Sequence, residues 1–488
     1  MEQNLRFAHK ILFLNTLAFT ICFACWTMNG VLVTYLVDNG IFNWSVVETG
    51  WLLGIPILSG SITRLPLGIL TDKYGGKVVF AWLLLCCSIP LFLIYFVHSY
   101  WAYFLLSICF GMVGASFAVG IAFTSIWYPK AWQGRALGIF GMGNAGAALT
   151  TFLAPVTLNA LSTSDPENGW RWLPVIYGVT LILMGLIFLF FVKNKKVTGP
   201  IKTTAELLVP LRKTRVWRFG LYYFLVFGLF VAFSQWLLPY YVNVYKTSLV
   251  LGGLLTSAFS LPSGVIRALG GYLSDKFGAR KVMYWVLYSS LVISGLLMLP
   301  KMDILTPGKG IIAKKSGIVT EVTENKIVLN NETLAIKEKP EIPEQTKILP
   351  ESFSWQEIVV KQNQEVRKKE LLAEGVTLIK FEAHIWVFSL LVIAIGIVWG
   401  IGKAAVYKHI PEYFPNEVGI VGGMVGLIGG LGGFIGPILF GYLLDFSDLW
   451  TSSWIIVFVI SAVSLYWMTY TINRMTHKEA PHIKHRIE

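Results

Sequence analysis

The chain has 488 residues, of which 55% are apolar and only 14% charged, with a mean hydropathy of +0.63. Soluble domains run near a quarter charged, so an ordinary cytosolic enzyme is excluded. So is a disordered chain, which could not carry this much apolar and aromatic surface. Forty basic against 27 acidic side chains leave a net +13, which in so apolar a chain marks loops facing a cytoplasm rather than a nucleic-acid partner.

Runs long enough to cross a bilayer core of about 30 Å fall near 10–37, 46–71, 78–98, 100–127, 133–160, 170–192, 217–245, 249–275, 281–300, 384–411, 417–444 and 452–474, about twelve spans. The first exceeds a signal-peptide core and no small-residue cleavage site follows it, which predicts a retained span. Its Cys22 and Cys25 form a CxxC. With Cys86, Cys87 and Cys109 they lie inside apolar runs, which reads as packing rather than a disulfide framework or a metal site.

Basic residues in the short loops set the orientation. Arg6 and Lys10, Lys73 and Lys77, Lys130 and Arg135, the link from Lys193 to Arg218, Lys276 to Lys281, and Arg474 to Arg486 share one side. The other side carries little beyond Arg171 and Lys246. Both termini are therefore expected in the cytoplasm. The link after the sixth span, with Pro200 and Pro210, reads as the joint between two six-helix halves.

The halves repeat. Arg64, Gly68, Leu70, Asp72, Lys73, Tyr74, Gly75 and Lys77 recur as Arg267, Gly271, Leu273, Asp275, Lys276, Phe277, Gly278 and Arg280, an offset of 203. Gly143-Asn144-Ala145-Gly146 pairs with Gly429-Gly430-Leu431-Gly432 at an offset of 286, and Pro129 with Pro415 likewise. The second half must therefore hold 83 extra residues, and the polar segment 301–383, with 13 basic and 13 acidic side chains, supplies them. On this topology it lies outside. Its alternating runs Gly317–Val322 and Lys326–Leu329, with a turn at Asn330-Asn331, predict β-strands.

Val360–Leu372 resembles the second half of a biotinyl/lipoyl-type barrel-sandwich domain, which implies a positive φ at Asn363. No Met-Lys-Met acceptor stretch is present, so a structural or docking module is expected rather than a carrier of biotin or lipoate, and no cofactor.

Arg64 lies eight residues before Asp72, and Arg267 eight before Asp275. At 1.5 Å per residue each guanidinium sits about 12 Å into the membrane. Intramembrane charge is costly and marks function. The acids Asp38, Glu48, Asp72, Asp275, Glu412, Glu417 and Asp445 all fall at span ends, so two buried cations call for an anionic ligand. A planar, forked guanidinium meets two oxygens of a small planar oxyanion at once.

Asp72 to Lys77 after Gly68, and its copy Asp275 to Arg280, resemble the loop signature of the major facilitator superfamily. The stretches Gly134–Gly146 and Gly422–Phe434 resemble the paired glycine signatures of its nitrate/nitrite porter branch, as do Gly114–Phe117, Tyr223–Phe227 and Val406–Pro411. The resemblance covers the chain apart from the insert and the two tails and implies an all-α membrane protein with the 12-helix major facilitator fold, to which segment 301–383 adds a small β-rich extracytoplasmic insert. The expected organisation is 1–195 and 217–300 with 384–475 as the helical halves, 196–216 as linker, 301–383 as insert, and 476–488 as tail.

It also implies a secondary active transporter of nitrate or nitrite in the cytoplasmic membrane, not an enzyme, working as a nitrate/proton symporter or a nitrate/nitrite antiporter. Substrate contacts are implied for Arg64, Arg267, Asn144, Phe117, Tyr223, Phe227 and Tyr407. Gly141, Gly143, Gly146, Gly429, Gly430, Gly432 and Gly433 allow close helix contact. Asp72, Lys73, Asp275 and Lys276 form the gating loops. Lys403, Lys408 and His409 are the candidates for proton coupling, with snorkelling to the interface as the plainer reading of the lysines. The insert could dock an extracytoplasmic partner. The competing readings are a transporter of another small organic anion and a non-transporting membrane sensor.

Overall fold

A computed structural model describes residues 2–195, 209–299, 302–342, 351–381, 384–414 and 418–478. Pro200, Pro415, Glu417 and the tail beyond 478 lie outside these, as do the side chains of Arg6, Lys130 and Arg135. The chain divides into two compact units, residues 1–298 with 391–488, and residues 299–390.

The larger unit is helical. In chain order it runs α1 (Glu2–Asp38), α2 (Val46–Tyr74), α3 (Gly76–Leu93), α4 (Tyr100–Gly111), α5 (Ser116–Ser125), α6 (Lys130–Gly141), α7 (Gly146–Ser164), α8 (Trp172–Phe191), α9 (Thr214–Tyr223), α10 (Phe230–Tyr245), α11 (Leu249–Val265), α12 (Arg267–Phe277) and α13 (Ala279–Leu297). After the smaller unit come α14 (Ile385–Tyr413), α15 (Val418–Ser447) and α16 (Ser453–Lys478).

Several of these pieces fuse into single spans. A 3₁₀ turn over Met112–Ala115 joins α4 to α5, another over Met142–Ala145 joins α6 to α7, and a π-helical segment over Phe224–Leu229 joins α9 to α10. Among the described residues ten helices are long and apolar enough to cross a membrane, or eleven when α11 and α12, bent by 43°, are taken as one. Twelve were expected. The remaining expected span is α13, 19 residues long, whose first turn carries Arg280 and Lys281 and whose body carries three serines, so it is less apolar than the others. The bend between α11 and α12 follows Pro262, the usual cause of a sharp kink.

The repeated loops share one backbone device. Gly75 has φ 90 and ψ 149, and Gly278 has φ 85 and ψ 137, a region essentially restricted to glycine. That explains why glycine closes both Asp-Lys-aromatic-Gly turns.

Besides α1 against α10, two helix pairs, α2 with α15 and α7 with α11, carry most of the contact between the N-terminal and the C-terminal half. At the end of the molecule remote from the termini they touch closely. A β-carbon on Gly50 would stand 2.6 Å from the Pro437 carbonyl oxygen, and one on Gly54 2.6 Å from that of Phe434. Ser257 donates to the Ala148 carbonyl at 2.9 Å. Nearer the termini the pairs part. Gly68, Gly138, Gly271 and Gly423 have nothing within 4 Å of an added β-carbon, although helical spacing puts them on the same faces as the contacting residues.

The smaller unit is built from β1 (Met302–Ile312), β2 (Gly317–Thr323), β3 (Lys326–Leu329), β4 (Glu332–Ala335), β5 (Glu351–Ile358), β6 (Glu365–Val366) and β7 (Leu371–Phe381). They form a three-stranded sheet ordered β1-β7-β5 and a four-stranded sheet ordered β4-β3-β2-β6. Val319, Ile327, Leu329, Val366 and Leu372 are among the residues of its core. Asn330 and Asn331 turn the β3–β4 hairpin with φ 50 and 63, and Asn363 has φ 66, all tolerated by asparagine.

Candidate functional site

Four helix irregularities converge on one level of the helical unit. The π-helical segment after α9 carries Phe227, next to Tyr223. The 3₁₀ turn before α5 delivers Phe117, the one before α7 contains Asn144, and Arg267 opens α12 at the bend.

Arg64 projects from α2 into this level and is buried. Its Nη1 donates to the Gly426 carbonyl at 2.8 Å, while its Nε is buried without a partner. The guanidinium carbon lies 5.5 Å from the Phe117 ring, 5.8 Å from Phe227 and 6.0 Å from Trp26. Arg267, half-buried, lies 5.5 Å from the Tyr407 ring and keeps a buried, unpartnered Nη1. Gly141 permits its approach, because a β-carbon there would stand 3.1 Å from that nitrogen. Among the described residues no carboxylate pairs with either arginine; ion pairs form elsewhere, as between Lys314 and Glu332, Lys326 and Glu321, and Lys408 and Asp275.

Aromatic rings wall the two cations. Tyr223 stacks on Phe227 at 4.9 Å and meets Tyr407 edge-on at 5.0 Å, and Phe117 stacks at 6.5 Å from Phe227. The Tyr407 hydroxyl donates to the Gly422 carbonyl at 3.1 Å. The Tyr223 hydroxyl faces both Tyr407 and Arg267 yet makes no well-formed hydrogen bond. Both amide atoms of buried Asn144 are also unpartnered. Buried polar groups are rarely left so, and here they accompany two uncompensated cations.

The signature glycines are packing surfaces. Gly143 meets Phe19 and Gly146 the Thr20 carbonyl. Gly429 meets the Tyr223 ring, and Gly430 the Ser61 hydroxyl. Gly432 meets Phe224 and Gly433 meets Ile57 and Val231. Large residues at these places would displace the helices that carry the site.

Of the three coupling candidates only Lys403 joins this level. Lys408 forms an ion pair with Asp275 at 2.5 Å near the terminal end. His409 is buried between Phe219 and Tyr413, with Nδ1 2.8 Å from the carbonyl of Ala405 in its own helix. Asp72 is half-buried, Lys73 lies over the Tyr74 ring, and Lys276 lies over Phe277 in the corresponding place.

Sequence reasoning missed Trp26, Ser61, Ser263 and Phe230. Ser61 stands one turn before Arg64 on the same helix face, and its buried hydroxyl lacks a partner; that spacing could have found it. Trp26, one of 18 tryptophans, carries no such signal.

A bundle of membrane-length helices with a cationic, aromatic-walled site between two repeated halves defines a membrane transporter. The chain belongs to the Major Facilitator Superfamily, whose family model matches residues 15–312 and 371–486. It is 39% identical over 485 residues to a "Probable nitrate/nitrite antiporter NarK1" of Thermus thermophilus, covering 98% of this chain and 95% of that protein. A "Nitrite extrusion protein" of Bacillus subtilis is 30% identical over 314 residues, 64% of this chain and 76% of that one. A "Probable nitrate transporter NarT" of Staphylococcus aureus is 25% identical, covering 97% of each. Among solved structures, an inward-facing bacterial homolog of the human lysosomal transporter Spinster superposes with a TM-score of 0.66 at 14% identity, covering 96% of this chain and 98% of that one.

Proposed function

We propose that the chain carries nitrate and nitrite across the cytoplasmic membrane by alternating access, with both termini in the cytoplasm. One observation carries the reading: two guanidiniums, one from each half, meet a common aromatic wall with unpaired N–H groups and, among the described residues, no acid to neutralise them. A planar oxyanion fits because each fork can donate to two of its oxygens. Tyr223 donates a further hydrogen bond, and the amide of Asn144 another. The names of the similar proteins support the choice of nitrate and nitrite.

Placing one contact in each half couples binding to the rocking of the halves about a midplane site. With the termini inside, the open spaces beside Gly68, Gly138, Gly271 and Gly423 face the cytoplasm, so the structure is read as inward-facing. The β-rich unit then lies outside, as a structural or docking module.

Counterflow in liposomes holding the purified chain tests the substrate. Vesicles loaded with nitrate should take up labelled nitrate, with external nitrite competing and chloride and acetate not. Absence of exchange, or equal competition by acetate, would sink the proposal.

A further inference from the structure

Lys403 is fully buried in α14. Its ammonium nitrogen donates to the Ser263 hydroxyl at 2.9 Å and lies 3.1 Å from the Phe230 ring centre. Ser263 is one turn before Arg267 across the bend, and Tyr407, against which Arg267 packs, is one turn after Lys403 on the same helix. The amine therefore lies at the level of the bend that carries Arg267, whose charge acts on it.

The surroundings distinguish it from a structural lysine. Arg267 is the charged group that acts on it. Tyr407 on its own helix, and Tyr223 against that ring, are the nearby titratable groups. α11 presents a hydroxyl, α10 an aromatic ring, and α13 the apolar Val286 beside Gly402. No carboxylate among the described residues pairs with it. Lys408, five residues on, shows the ordinary solution, an ion pair with Asp275.

We propose that Lys403 is the proton-binding site of a nitrate/proton symporter. The inference rests on the reading of Arg64 and Arg267 as the anion site. An anion on the arginines supplies the negative charge that this pocket lacks, so anion binding and protonation of Lys403 favour one another, and linkage makes the effect reciprocal.

In the cycle, the neutral amine takes a proton from outside and nitrate docks on the arginines. The carrier then turns inward, nitrate leaves, and Lys403 Nζ releases its proton to the cytoplasm. One proton enters with one nitrate and no electrons move. The site holds the same net charge loaded as empty, so neither half-cycle drags extra charge across the membrane, where each charge is worth about 2.3 kcal/mol per 100 mV.

The test uses the full chain in liposomes free of internal nitrate and nitrite, with a luminal pH dye. External nitrate should acidify the lumen, and an inside-alkaline gradient should drive accumulation. Lys403→Met and Lys403→Arg should lower both by about tenfold or more, within the range of ordinary coupling energies. Nitrate–nitrate counterflow should fall by only about threefold or less.

Nitrate uptake by the unaltered chain without acidification would overturn the lysine proposal, as would undiminished acidification in either variant or loss of counterflow in step with acidification. Lack of counterflow in the unaltered chain would instead defeat the anion-site reading. Should neither variant reach the membrane, Ser263→Ala decides. Removing the one hydrogen bond on Nζ should shift the pH profile of gradient-driven uptake by about half a unit or more, and an unmoved profile would overturn the proposal.

Discussion

Arg64 and Arg267 differ from most arginines inside a helical bundle in what they lack. A guanidinium held against aromatic faces keeps its N–H groups available, because a ring attracts the charge without accepting the in-plane hydrogen bonds. Lysine would keep the charge and lose the fork. Arg64→Lys and Arg267→Lys are therefore expected to lower nitrate counterflow by about a hundredfold each, the worth of roughly 2–3 kcal/mol of charge-assisted bonding, with normal amounts of protein in the membrane. Near-normal exchange by either would remove that arginine from the site. Tyr223 makes a smaller claim, since its ring is packed and only its hydroxyl is unpaired. Tyr223→Phe should raise the half-saturating nitrate concentration by about tenfold, one hydrogen bond to a charged partner. An unchanged value would assign Tyr223 to packing alone.

Elements position these residues through their defects. An uninterrupted helix advances each side chain by a constant angle, whereas the π-helical segment at Phe224–Leu229, the 3₁₀ turns at Met112–Ala115 and Met142–Ala145, and the bend at Ile266 redirect them. Such interruptions are common at functional sites. The π segment depends on small residues opposite it: Gly228 nests against Gly432, whose Cα would stand 2.6 Å from a β-carbon at 228. Gly429 lies against the Tyr223 ring in the same contact. Gly429→Leu should push Tyr223 and α15 apart and abolish exchange, with detergent-solubilised protein melting several degrees lower. A fully active Gly429→Leu chain would show that the close approach is dispensable.

For the whole molecule, the conformation makes a testable statement. Cysteines placed at Gly68 and Gly423 should react with a membrane-impermeant thiol reagent applied from the terminal side. A cysteine at Gly54 should not, because Phe434 closes over it. Equal labelling at all three would contradict the closed far end. The β-rich unit yields another prediction. Its first and last strands pair antiparallel from Met302 with Phe381, so its ends lie about 5 Å apart and a short linker can replace it without stretching the chain. Excision of 302–381 should leave nitrate counterflow within about threefold, as expected for a separate compact unit. Loss of exchange in correctly inserted protein would give the unit a part in transport.

Composition and repetition alone determined a great deal. Apolar runs can only be membrane helices when nothing else satisfies backbone polar groups in lipid. The offsets of 203 and 286 pointed to two halves and an extra segment, and the alternating pattern in that segment predicted strands β2 and β3. The count of twelve spans exceeded the ten or eleven that meet the same length and apolarity test, because α13 mixes serines and basic residues into a helix otherwise suited to cross.

The arginines were legible because an unpaired charge in lipid is costly wherever it sits in the chain. Trp26, Ser61 and Ser263 were not, because an aromatic or hydroxyl becomes part of a site only through what stands across from it. The three coupling candidates looked alike in sequence, six residues apart at most. Their separation into a lysine bonded to Ser263, a lysine paired with Asp275 and a histidine bonded within its own helix was decided by tertiary packing. On one helix face or another, the same side chains meet a hydroxyl, a carboxylate or a carbonyl, and that neighbour determines their chemistry.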